Sequence, residues 1–187
     1  MRRFSIIGTA HLDDPDMFHA LGAALDLASP DQFVLEMPDE AALTGEVAGQ
    51  KPEMLAAYRW AEGRGVPVRG HEPQGLSVLR SGLTAEQVGD LVQEMDSLVS
   101  SLTVRRTIDV FCQRGELESE AERRLSAVIE ALVDPELSLV RTRGIIAAIE
   151  QVAAPQGHVL ILCGGAHVPL IARALESCQI IHGEYFY

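Results

Sequence analysis

Two short segments near opposite ends of the chain share one pattern, a glycine followed three positions later by a histidine: Gly8-Thr9-Ala10-His11 and Gly164-Gly165-Ala166-His167. Each follows an apolar run. Two further runs lead to carboxylates, Val34-Leu35-Glu36 and, after Val66-Pro67-Val68-Arg69, the segment Gly70-His71-Glu72-Pro73. Two imidazoles with one or two carboxylates are a standard ligand set for a catalytic divalent metal, which keeps an open position for water. Such an ion lowers the pKa of its water and polarises a carbonyl, while a remaining carboxylate serves as general base. His11, Glu36 and His167 are the expected ligands, with Glu72 as the supporting carboxylate. The glycines allow a sharp turn and close approach of a ligand. Gly164 and Gly165 are therefore candidate substrate-binding positions, together with Thr9, whose hydroxyl can donate to substrate or to bound water. His71 joins them as a candidate substrate-binding position, and reads otherwise as an additional ligand or as a structural imidazole.

These residues act together only if the fold gathers them. Short apolar runs alternate with longer helical stretches, the signature of an α/β fold with a mainly parallel central sheet flanked by helices. Strands are expected at Phe4–Ile7, Phe33–Leu35, Val66–Arg69, His158–Cys163 and Gln179–His182. A helix follows Asp13-Asp14-Pro15, with Met17, Leu21, Leu25 and Ala28 at helical spacing. A second runs from Pro52 to about Arg64, and another opens at Pro169. From Thr84 to about Ala153 the pattern is charged, amphipathic and helical, which predicts a helical insertion or lid (84–153) within a single domain (1–187), placed before the last G-x-x-H strand. In open parallel sheets ligands bind outside the carboxyl ends of the strands. All four candidate segments fall at such ends.

Composition removes several alternatives. The 187 residues carry 15 basic and 27 acidic side chains, a formal charge of −12, and the longest basic runs are pairs. Nucleic-acid binding, which needs a basic surface to displace counterions, is therefore not expected. No window approaches the roughly 18 consecutive apolar residues of a membrane helix, and the apolar run after Met1 stops at Gly8, too early for a signal peptide. No membrane anchor and a cytoplasmic location are the expectation. The 3 cysteines include no C-x-x-C pair and suggest neither a disulfide framework nor a zinc knuckle. Gly164-Gly165-Ala166 before a helix has the glycines of a phosphate cradle, but neither a P-loop lysine nor G-x-G-x-x-G spacing. The chain's single lysine is Lys51.

The segments Ile6-Ile7-Gly8-Thr9-Ala10-His11, Val34-Leu35-Glu36 and Leu160-Ile161-Leu162-Cys163-Gly164-Gly165-Ala166-His167-Val168-Pro169 resemble the three signatures of the TraB/PrgY, GumN and Tiki family, within the wider ChaN and erythromycin-esterase superfamily. These are a G-T-x-H turn, a strand ending in V-E-L and a strand closing in a G-A-G-H-like turn. Gly70-His71-Glu72 resembles the G-L-E segment of the GumN branch, with His71 replacing the leucine. Family members also carry an arginine at the start of the helix before the final strand. Arg141-Thr142-Arg143 occupies that place without the usual Asn or Asp, so Arg141 and Arg143 both remain candidates for binding a substrate carboxylate or an oxyanion.

The resemblance implies a metal-dependent hydrolase acting on amide or peptide bonds, with esters next, and a divalent ion such as manganese, cobalt or zinc. Two alternatives stand beside it. One is a protein that binds or sequesters a peptide or haem-like ligand without turnover. The other is a metal-independent hydrolase using His11 and Glu36 as an acid–base pair, as in the erythromycin-esterase branch. A small-molecule or peptide substrate is the expected partner, and apolar helices of the insertion allow a homodimer.

Overall fold

The run His158-Val159-Leu160-Ile161-Leu162-Cys163 lacks polar alternation because both faces of its strand are covered. The computed structural model describes residues 1–11, 13–72 and 77–187, and this run forms the middle strand of a five-stranded, all-parallel sheet. The strands are β1 (Arg2–Thr9), β2 (Gln32–Leu35), β3 (Val68–Gly70), β4 (Gly157–Gly164) and β5 (Cys178–Ile180), in the order β3-β2-β4-β1-β5. The fold is the expected α/β architecture. Pro73, which closes the third candidate segment, lies outside the described residues.

Alternate sheet residues face two cores. Ile7, Phe33, Leu35, Leu160 and Leu162 pack against α1 (Pro15–Ala28) and α3 (Pro52–Glu62) through Met17, Leu21, Leu25, Met54, Ala57 and Ala61. On the other face Phe4, Ile6, Val34, Val159 and Ile161 meet α7 (Pro135–Val152) and α8 (Val168–Ala174) through Ile145, Ile149, Val168 and Ile171. Helix α1 starts as the Asp-Pro signal predicts. The Asp14 carboxylate accepts from the amides of Asp16 and Met17 at 2.8 and 3.3 Å, with Pro15 in the first turn.

The stretch from Thr84 to Ala153 is helical, comprising α4 (Ala85–Ser101), α5 (Val104–Phe111), α6 (Glu120–Leu132) and α7. Its parts differ in role. Helix α4 buries no residue, whereas α7 supplies Ile145 and Ile149 to the sheet's core and so belongs to the covering layer. The six-residue helix α2 (Asp39–Thr44) has no counterpart in the sequence reading, because an element under two turns shows too little periodicity to register.

Adjacent strands β1 and β4 run in register from Arg2 with Gly157 to Thr9 with Gly164. Their pairing carries the two G-x-x-H loops, far apart in sequence, to neighbouring positions on the carboxyl edge. Strands β2 and β3 add Glu36, His71 and Glu72 along the same edge.

Candidate active site

Beyond the end of β1, His11 adopts a left-handed backbone conformation with φ of 56°. This is uncommon outside glycine and costs on the order of 1 kcal/mol. Its Nδ1 is hydrogen-bonded to Glu53 Oε1. Glu53 is fully buried in the first turn of α3 and also accepts from the Thr9 hydroxyl at 3.1 Å. Lys51, at the start of the same helix, places its ammonium 3.1 Å from His11 Nε2 and 2.6 Å from Glu36 Oε1. A lysine ammonium only donates, and a carboxylate only accepts. The network therefore assigns His11 as the Nδ1–H tautomer, with its Nε2 lone pair turned toward Lys51 and Glu36.

Glu36 is the hub. Its Oε2 accepts from the backbone amide of Gly164 at 2.5 Å, and its Oε1 also lies 3.5 Å from Arg141 Nη2. Burial works against the charge, but Lys51 and the neighbouring donors overcome it and hold the carboxyl well below the usual carboxylate range. Arg141, on the first turns of α7, also hydrogen-bonds Glu72 Oε1. Glu72 shifts the other way. Partial burial, joined by the charge on Glu36, pushes its carboxyl up, although Arg141 and Lys51 pull against this. Two carboxylates tied to one guanidinium are thus driven apart in acidity, a division typical of acid–base sites.

The second loop is built differently. After β4 a single 3-10 turn, Gly165–His167, leads into α8. His167 Nδ1 lies 2.9 Å from the hydroxyl of Thr142, on α7. That hydroxyl donates its own proton to the Ser138 carbonyl at 2.9 Å, so it accepts from His167 Nδ1–H. Burial lowers the His167 pKa and so favours its neutral ring, against the pull of Glu36. Gly164 is required by proximity. A Cβ there would sit 2.9 Å from His11 Nε2 and 3.4 Å from Glu36 Oε2, while one on Gly165 would have its nearest contact, Cys112 Sγ, at 3.4 Å. Gly8 is equally constrained, with Val168 and Tyr187 atoms at 2.5 and 2.7 Å from the corresponding point.

His71 lies beneath this cluster and is almost completely buried. Its Nε2–H donates to the Leu162 carbonyl at 3.3 Å, and burial lowers its pKa to about 4. The described atoms give its Nδ1 no partner. Of the candidate residues, Thr9, His11, Glu36, Glu72, Arg141, Gly164 and His167 surround one centre. Gly165 lies behind it against Ile108 of α5 and Cys112 just past that helix, and Arg143 lies on the exposed face of α7.

Three participants escape the sequence pattern: Lys51, Glu53 and Thr142. Glu53 had a detectable signal, because it falls on the same four-residue spacing as Ala57 and Ala61 and so puts a charge on the buried stripe of α3. Lys51 had a weaker one, as the chain's single lysine at the start of a helix.

The divalent ion implied by the family resemblance would need these donors free to face it. His11 Nε2 and Glu36 Oε2 lie 3.9 Å apart, a span one ion can bridge, but the Lys51 ammonium stands against both residues. Among the described residues no group of three or more His, Cys, Asp or Glu side chains is arranged to hold a metal. The donor set as placed does not fit the ion. Among the described residues no helix is long and apolar enough to cross a membrane. No family model, curated protein or solved structure matches the chain.

Proposed function

We propose that the chain hydrolyses an amide or ester bond, with His11 as general base and with Lys51 and Arg141 as the groups that stabilise negative charge. The observation that carries this reading is the pairing of His11 Nδ1 with the buried Glu53 carboxylate. It fixes the tautomer in which Nε2 accepts a proton, and Glu53 then stabilises the imidazolium that forms.

The reaction balances through this pair. As the Lys51 ammonium turns from Nε2 to the substrate carbonyl, a water takes its place on Nε2 and loses a proton to it while the water oxygen attacks the carbonyl carbon. The electron pair of the carbonyl moves to oxygen, where the Lys51 ammonium and the Arg141 guanidinium face the developing charge. The intermediate then collapses, the bond to the amine or alcohol breaks, and the imidazolium returns its proton to the leaving group. Glu36 remains ionised throughout and positions both cations. Glu72 shares the Arg141 Nη2 with Glu36 and helps hold the guanidinium in place. The resemblance to the erythromycin-esterase side of the superfamily points to the same chemistry.

A panel of amide and ester substrates tests the reading, assayed with and without a chelator on the wild type and on His11→Ala. The expected result is turnover that survives chelation and falls by about 10²–10⁴-fold in the variant, the usual contribution of a positioned base. Turnover that His11→Ala leaves unchanged, or none across the panel, contradicts it.

A further inference from the structure

The mismatch between the implied metal and the observed cluster has a definite form. The Lys51 ammonium touches two of the three residues whose types suggest metal ligation, at 2.6 Å from Glu36 Oε1 and 3.1 Å from His11 Nε2. It sits between a buried anion and an imidazole lone pair, where a small cation is electrostatically favoured. Arg141 adds to the compensation at the same Glu36 oxygen, with its Nη2 3.5 Å from Oε1. We infer that Lys51 is a built-in cation that takes the place of a divalent metal, so that the site is complete without one.

This inference deepens the proposed hydrolysis, but it rests on the placement of three side chains and is read out by binding rather than turnover. An ammonium has the compact, strongly hydrated point charge that a metal-like position calls for, and a guanidinium spreads its charge over a plane. The lysine is also tethered at the first residue before α3, and Glu53, two residues further on, orients His11. One helix start thus supplies both the cation and the group that fixes the base. A second cation entering the same gap meets the ammonium at close range, and repulsion at that distance exceeds the energy of a tenfold change in affinity unless it is fully screened.

The experiment is titration calorimetry of the whole chain with manganese and with zinc, comparing the wild type with Lys51→Met, and with Lys51→Gln as a second neutral variant. Thermal melts confirm that each variant is folded. The expected result is weak binding by the wild type and at least about tenfold tighter binding by the neutral variants, with the gain lost when His11→Ala is added. Two results overturn the inference. One is neutral variants that bind no tighter than the wild type, and the other is a wild type that already holds one ion through His11. Either can occur with turnover present or absent, so failure here is separate from failure of the hydrolase reading.

Discussion

The two G-x-x-H loops end adjacent parallel strands in register, yet they hold their histidines through different partners. His11 gives its Nδ1–H to a buried carboxylate, while His167 gives its Nδ1–H to a hydroxyl that already donates elsewhere. A carboxylate partner stabilises an imidazolium and a hydroxyl partner does not. On the proposed reading, the same tetrapeptide pattern supplies a base from one loop and a positioned ring from the other. What distinguishes them is the helix that approaches each loop, α3 bringing Glu53 and α7 bringing Thr142.

That contrast breaks most easily at the histidines themselves. We expect His11→Ala to reduce kcat/KM by about 10³-fold and His167→Ala by only about tenfold, measured on whichever panel substrate turns over fastest. Equal losses would erase the distinction between the loops.

The next effect is on stability, beside the second loop. His71 is held at about 4 against an ordinary 6.5, because burial disfavours its charged form. Its unfolded form therefore binds the extra proton first, and stability is lost as pH falls from about 6.5 to about 4. The shift corresponds to about 3 kcal/mol, and the lowered pKa of His167 acts in the same direction. Denaturant unfolding at pH 7 and pH 4 should show His71→Gln losing about 3 kcal/mol less than the wild type over this interval. An identical pH dependence in the two proteins would remove His71 as the source.

Glu53→Gln keeps the shape of the side chain but removes the charge behind His11. We expect about a tenfold to hundredfold loss in kcat with little change in KM. A change confined to KM would place Glu53 in substrate binding instead. For the glycines, Gly164→Ala should lower activity about tenfold by displacing His11 and Glu36, whereas Gly8→Ala should cost about 1–3 kcal/mol of stability through overpacking. Parallel melting and kinetic measurements on both variants separate the two effects. The smallest change is expected for Thr142→Val, a few-fold loss of kcat from a loosened His167 ring.

The sheet was legible because its strands are short apolar runs with turn residues after them, and because a parallel order places every strand end on one edge. The placement of Glu36 and both loop histidines along that edge was legible for the same reason. Boundaries moved by one or two residues, as at β5, where the ladder begins at Cys178 rather than Gln179. Thr142 was not legible and Lys51 and Glu53 left only weak signals, because each reaches the site from a helix end or interior, and the depth of a helical side chain depends on how that helix docks. Arg141 and Arg143 show the same limit. They lie two positions apart, so helical rotation sends one toward Glu36 and the other to solvent, and sequence alone left the choice open.

The central claim, that His11 and Glu53 act as one unit, is tested most directly by a double-mutant cycle on kcat/KM with His11→Ala, Glu53→Gln and the combined variant. If Glu53 works only through His11, the combined variant is as slow as His11→Ala alone, because no base remains for the carboxylate to support. If the two losses multiply, the residues act independently and the account is contradicted.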